Sequence, residues 1–207
     1  MSLELWSKRY RAPEVPRVDR EVVSVSPDEP VEGAAPVLCV TGDPRGAAAF
    51  GEHWLGHIAG RGRSAHAVSV RGQGGTAKAG GGRAGQVHDL VQTAAALPRQ
   101  CVLIGHDKGA GLVAHAMTRY PVAAAVLLAP RGLTSAPGAA VGEPRVLVAG
   151  SPDDRRSGQK TLDKVAEVYG GAPLLFPGVG HDFMSDPGWQ APLAAILDWL
   201  DDPSHTV

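Results

Sequence analysis

Three short stretches in the second half of the chain carry side chains suited to displacement chemistry: Gly105-His106-Asp107-Lys108-Gly109, the adjacent aspartates 153 and 154 in VAGSPDD, and His181 in FPGVGHDF. A carboxylate can attack carbon and leave a hydrolysable ester, an imidazole can activate water near neutral pH, and a second carboxylate can orient that imidazole. Asp107 follows an apolar run and precedes a stretch rich in glycine and alanine. A sharp strand-to-helix turn there would lift its side chain above a sheet, provided that the residues two before and two after are small, as Gly105 and Gly109 are. The Lys108 N–H, in the first helical turn, would then be free to face the site, and the helix terminus would favour an ionised Asp107. The plainer reading of Asp107 is a helix N-cap. Either Asp153 or Asp154 can serve as the orienting carboxylate.

The elements needed to position these groups can be read along the chain. EVVSVS can form a first strand, VLCV (37–40) a second and HAVSV (66–70) a third, while AFGEHWLGHIAG between the last two has apolar residues at helical spacing. The glycine-rich segment 71–85 reads as a loop, and QVHDLVQTAAAL (86–97) as a helix stopped by Pro98. CVLIG (101–105) is a buried strand followed by the helix KGAGLVAHAMTRY. Strands VAAAVLLA, RVLVAG and PLLFP follow, with TLDKVAEVYG between the last two and WQAPLAAILDWLDD closing the chain. Strands that are apolar throughout, separated by helices, specify one α/β domain spanning 1–207: a mostly parallel sheet with helices on both faces. The first 20 residues are charged and proline-marked, so any strand there is peripheral. Reactive groups in such sheets collect at the carboxyl ends of strands, where Asp107, Asp153, Asp154 and His181 all fall.

Composition narrows the partner. With 20 basic and 21 acidic side chains and a net charge of -1, the chain has no electrostatic footprint for nucleic acid or an anionic membrane. A small, nearly neutral substrate is the expectation, with a homo-oligomer left open. Cys39 and Cys101 sit in apolar runs and are read as core residues. The chain shows no signal-type apolar segment and no stretch of transmembrane length, which suggests a soluble cytoplasmic protein. GQGGTAKAGGG lacks the Gly-Lys-Ser/Thr ending of a phosphate loop. His53 and His57 are spaced i,i+4 without a third ligand, so neither a metal nor a cofactor is expected. Trp54 belongs to the core stripe of its helix, and Arg155 or Arg156 could reach a substrate from a solvated loop.

The order nucleophile, acid, histidine resembles that of the α/β-hydrolase fold. Over about residues 35–200 the chain is similar to that superfamily's aspartate-nucleophile branch, the epoxide hydrolases and the dehalogenases of the same fold. Gly105-His106-Asp107-Lys108-Gly109 resembles its elbow, and Thr41-Gly42-Asp43-Pro44 its His-Gly-x-Pro oxyanion loop with threonine for histidine. SVRGQGG resembles its Asp-x-Arg-Gly-x-Gly loop with Ser69 at the aspartate position. Gly150 and Asp153 match its acid motif, which favours Asp153 over Asp154, and Gly178-Val179-Gly180-His181 matches its histidine motif. The resemblance implies that Asp107 attacks an epoxide or alkyl halide to form an ester. His181, oriented by Asp153, then activates water, with the Lys108 and Asp43 N–H groups holding the oxyanion.

The chain departs from the branch in three ways. PRGLTSAPGAAVGEP is too short to hold the usual helical cap, and Tyr10, Tyr120 and Tyr169 do not stand where the epoxide-activating tyrosines would. Lys108 replaces the tryptophan or arginine of many relatives. Asp43 places a second carboxylate near Asp107, which should raise one pKa or repel an anionic substrate. A lidless hydrolase acting on an epoxide or related electrophile is the leading expectation. A non-hydrolytic acid/base catalyst of cyclisation, rearrangement or elimination is the second, and a non-catalytic relative that binds a small molecule or a protein is the third.

Overall fold

The computed structural model describes residues 15–202; Tyr10 and most of the N-terminal segment lie outside them. Seven strands among the described residues form one sheet: β1 (Val22–Val25), β2 (Val37–Thr41), β3 (Ala65–Val68), β4 (Val102–His106), β5 (Ala124–Leu128), β6 (Arg145–Gly150) and β7 (Leu174–Leu175). The helices that accompany them are α1 (Ala48–Gly51), α2 (Trp54–Gly60), α3 (Gly82–Ala95), α4 (Lys108–Met117), α5 (Gln159–Val168) and α6 (Gln190–Asp201). The spatial order is β1-β3-β2-β4-β5-β6-β7, with β1 antiparallel to β3 and every other pair parallel.

Burial on both faces explains the apolar runs. In β2, Val37 and Cys39 belong to the core on one side of the sheet with Trp54, Ile58 and Ile196, whereas Leu38 and Val40 belong to the core on the other side with Leu90, Val113 and Leu127. Burial pushes the Cys101 thiol up to about 12 and raises that of Cys39 as well, so both cysteines are packing residues.

The chain winds outward from β2 to β3, then crosses back to place β4 on the other side of β2. The carboxyl ends of β2 and β4 therefore flank the topological switch point, where an open α/β sheet has its natural crevice. The sequence-based boundaries differ most in two places. The helix expected over 49–60 is broken at Glu52-His53 into α1 and α2, and α3 starts at Gly82, inside the segment read as loop. Gly81 makes that early start with a left-handed backbone, φ 99°. Residues 129–144, between β5 and β6, contain no helix or strand. Among the described residues no helix is long and apolar enough to cross a membrane.

Candidate active site

Asp107 sits at the junction of β4 and α4 with φ 56° and ψ −122°, a conformation that L residues rarely adopt. Such strain persists only where surrounding structure over-determines it. Here the turn is held by Asp107 N–H donating to the Leu128 carbonyl at 3.1 Å, and it closes so tightly that a Cβ on Gly105 would lie 2.5 Å from the Gly109 oxygen. The Asp107 side chain makes no capping hydrogen bond to α4, so the N-cap reading gives way to an upright carboxylate.

His181 Nε2 lies 3.4 Å from Asp107 Oδ1, and its Nδ1 lies 2.6 Å from Asp154 Oδ2. The acid beside His181 is thus Asp154, which corrects the preference for Asp153. The two neighbours point apart: Asp154 is buried against the imidazole, whereas Asp153 accepts the Gly178 N–H at 2.8 Å and tethers the loop that carries His181. The reason is local. Ser151, Asp153 and Asp154 form a tight turn after β6, in which the Asp154 N–H donates to the Ser151 carbonyl.

His106, buried beneath the site, ties two of its loops together. Its Nε2 faces the His181 carbonyl at 2.8 Å, an acceptor, so that nitrogen carries the proton. Nδ1 then accepts from the Thr41 hydroxyl at 3.1 Å. Thr41 Oγ1 in turn accepts the Asp43 N–H at 3.1 Å. Burial lowers the His106 pKa, with the bond to His181 opposing it, and the neutral ring remains a strut.

That strut changes the expected oxyanion loop. The Asp43 N–H is taken by Thr41, and the Gly42 N–H donates to the His106 carbonyl at 3.0 Å, so neither is free as assigned from sequence. Gly42 matters sterically instead, because a Cβ there would stand 2.5 Å from Asp107 Oδ2. Lys108 N–H remains as the backbone donor beside Asp107. The expected conflict between Asp43 and Asp107 is also absent. Arg45 pairs with Asp43 at 3.0 Å and with Asp182 at 2.6 Å, and this guanidinium is the main cause that holds the Asp43 carboxyl below its usual value.

Sequence reasoning missed Arg131. Its Nε lies 2.6 Å from Asp107 Oδ1 without hydrogen-bond alignment, and Nη2 donates to Oδ2 at 3.1 Å. Its backbone N–H also donates to the Asp107 carbonyl at 3.2 Å. The turn that delivers it is strained: Ala129 has φ 42°, and Asp107 and Ala129 are the two non-glycine residues with positive φ among those described. Arg131 follows a strand end just as Asp107 does, so the rule applied to the other candidates would have flagged it.

Burial pushes the Asp107 carboxyl up, but His181, the Lys108 N–H and the Arg131 charge outweigh it and bring it down to about 2. The same contact with Asp107 is the main cause of a raised His181 pKa; burial opposes it and Asp154 adds to it. In the free protein the pair is therefore a carboxylate facing an imidazole that favours its charged form. Gly42, Asp43, His106, Asp107, Arg131, Arg156 and His181 surround a cavity of about 150 Å³, which puts Arg156, of the two arginines singled out by sequence, at the site. His53 and His57 lie elsewhere, packed against the Trp189 ring.

No family model matches the chain, and no curated protein matches it in sequence. Solved structures do resemble it. The monoacylglycerol lipase of Paleococcus ferrophilus superposes with a TM-score of 0.70 at 15% identity, over 88% of this chain and 98% of that one. A thermophilic esterase from Thermogutta terrifontis gives 0.67 at 14% identity, over 89% and 93%. An alpha-beta serine hydrolase homologue from Coxiella burnetii gives 0.65 at 17% identity, over 87% and 89%. The chain has the α/β-hydrolase fold.

Proposed function

We propose that the protein is a hydrolase in which Asp107 is the nucleophile, His181 the base and Asp154 the residue that orients it, acting on an epoxide or related small electrophile. The observation that carries this reading is the geometry at one imidazole, Nε2 at 3.4 Å from Asp107 and Nδ1 at 2.6 Å from Asp154. The fold shared with a lipase and an esterase supports it.

In the first step an Asp107 oxygen bonds to carbon while the epoxide C–O bond breaks, and the released oxygen takes a proton from water. Esterification deletes the charge of Asp107, which is the main cause of the raised His181 pKa. Neutral imidazole thus becomes available at the stage that needs it, to take a proton from the water attacking the Asp107 carbonyl carbon. The carbonyl oxygen then gains negative charge beside the Lys108 N–H, the backbone donor that remains once the Asp43 N–H is engaged elsewhere. The imidazolium proton having neutralised the hydroxide left by the first step, collapse breaks the bond from that carbon to the product oxygen, which leaves with the proton of the nascent Asp107 acid. The carboxylate and the charged imidazole are restored, and the sum is addition of one water to the epoxide.

The Asp107–Arg131 ion pair favours a second reading, non-hydrolytic acid/base work in which Asp107 never forms an ester. Intact-protein mass spectrometry on His181→Gln, incubated with terminal epoxides and short haloalkanes, separates the two. A stable adduct mapped to Asp107 is expected; no adduct across the panel would leave acid/base chemistry or ligand binding as the function.

A further inference from the structure

A second cavity, of about 440 Å³, adjoins the triad and shares Gly42, Pro44 and Arg131 with the smaller one. Arg83, Lys108, His115 and Arg131 line it, and no carboxylate does. Leu112 and Leu133 supply apolar wall, and the volume is that of a small-ligand site. Of the four basic groups only Arg131 has an ion-pair partner among the described residues, and that partner is Asp107 itself. A concave surface lined by one sign of charge concentrates counter-ions. The His115 pKa is lowered, first by burial and then by the charges of Arg83 and Arg119, so a neutral imidazole stands among uncompensated cations.

We propose that this cavity binds the anionic head of a small organic acid, and that Arg131 is exchanged between Asp107 and the bound anion. The basis is the meeting of Arg83, Lys108 and His115 in one cavity with Arg131 as the wall it shares with the triad. This replaces the nearly neutral substrate expected from net charge, because a chain-wide total says nothing about how charge is distributed around one crevice. The Arg131 side chain is 40% exposed and makes a single aligned hydrogen bond to Asp107, so transfer to another anion costs little. Transfer would uncover the carboxylate when a ligand is in place. That the ligand is a substrate rests on the Asp107 reading; that the cavity takes an anion does not.

The test is an NMR titration of the full-length protein, following the His115 imidazole, with butyrate, inorganic phosphate and the uncharged butyramide. Saturable binding of the anions with a rise in the His115 pKa is expected, and no saturable binding of butyramide. Arg83→Gln should weaken the anions by roughly tenfold or more, the worth of a charged hydrogen bond. Asp107→Asn, which releases Arg131, should tighten them. Tighter phosphate than butyrate would assign a phosphorylated head and the reverse a carboxylate; both uphold the anion site. Butyramide binding as well as butyrate, anion affinity indifferent to Arg83→Gln, or no saturable anion binding would overturn it. Since the readout is binding, failure of the adduct experiment would leave this result standing, and the converse also holds.

Discussion

Among the Arg–Asp pairs of the described residues, Arg71–Asp89 and Arg131–Asp107 look alike on paper and differ in the burial of the arginine and in hydrogen bonding. Arg71 and Asp89 are sealed, with side chains 2% and 1% exposed, and one guanidinium edge engages both carboxylate oxygens: Nε to Oδ2 at 2.8 Å and Nη2 to Oδ1 at 2.7 Å. The Arg71 N–H adds a third bond to the same carboxylate. Arg131 and Asp107 touch at 2.6 Å but share one aligned hydrogen bond, and the arginine is partly open to solvent. The first pair fastens the segment after β3 to α3. The second holds a carboxylate ionised without committing it, and both its residues stand at or beside strained turns. A saturated pair is structure, and an unsaturated one leaves a group available for chemistry.

That contrast can be broken most severely at Asp107. Asp107→Asn should lower turnover by at least about 10⁴-fold, as loss of a nucleophile does, with the thermal midpoint little changed. Full turnover in freshly prepared mutant, with deamidation excluded by intact mass, would remove Asp107 from the chemistry. Asp154→Asn should slow ester hydrolysis by roughly 10³- to 10⁴-fold in single-turnover kinetics, because the imidazole loses its orienting partner. Asp153→Asn should slow it far less, since Asp153 braces the loop through Gly178; equal effects would erase the distinction between the neighbours. On the structural side, Arg71→Gln strands a buried carboxylate and should cost about 3–5 kcal/mol in denaturant unfolding, with activity retained per folded molecule. Arg131→Gln should cost less than about 1 kcal/mol, as expected for a solvent-screened pair.

The smallest effect is also the most specific. His181 should titrate above the ordinary value of about 6.5 in the free protein. The sign follows from the pairing: the charged imidazole is favoured by Asp107, so the base is protonated at low pH and becomes available only as pH rises through the elevated value. In Asp107→Asn the NMR midpoint of His181 should fall. A midpoint that stays put would mean that the 3.4 Å contact carries no electrostatic coupling.

The elbow was legible in sequence because its requirements are local: an apolar strand, small residues on both sides and a helix behind. The parallel sheet was legible for the same reason, since β2, β4 and β5 are apolar on both faces. The motif resemblance chose Asp153 where Asp154 faces His181, because one residue of turn geometry decides between the neighbours. The oxyanion loop misled in a similar way: replacing histidine with threonine introduces a hydroxyl that captures the Asp43 N–H, a contact set by the fold of 41–43 over His106. Arg131 was passed over although it, too, follows a strand end. PRGLTS has no periodicity, and its meaning comes from Ala129, whose backbone turns the next residues over the elbow of the preceding strand.

Cys39 stands two residues before Thr41, in the strand β2 that ends at the site, and Cys101 immediately precedes its neighbour β4. Both thiols are inaccessible and resist ionisation. A thiol-specific reagent can modify them only when the middle of the sheet comes apart, which makes the unmodified chain its own stopwatch for rare opening events. Two sulfur atoms, one in β2 and one just ahead of β4, thus allow the lifetime of the closed molecule to be timed by mass, with no engineered probe.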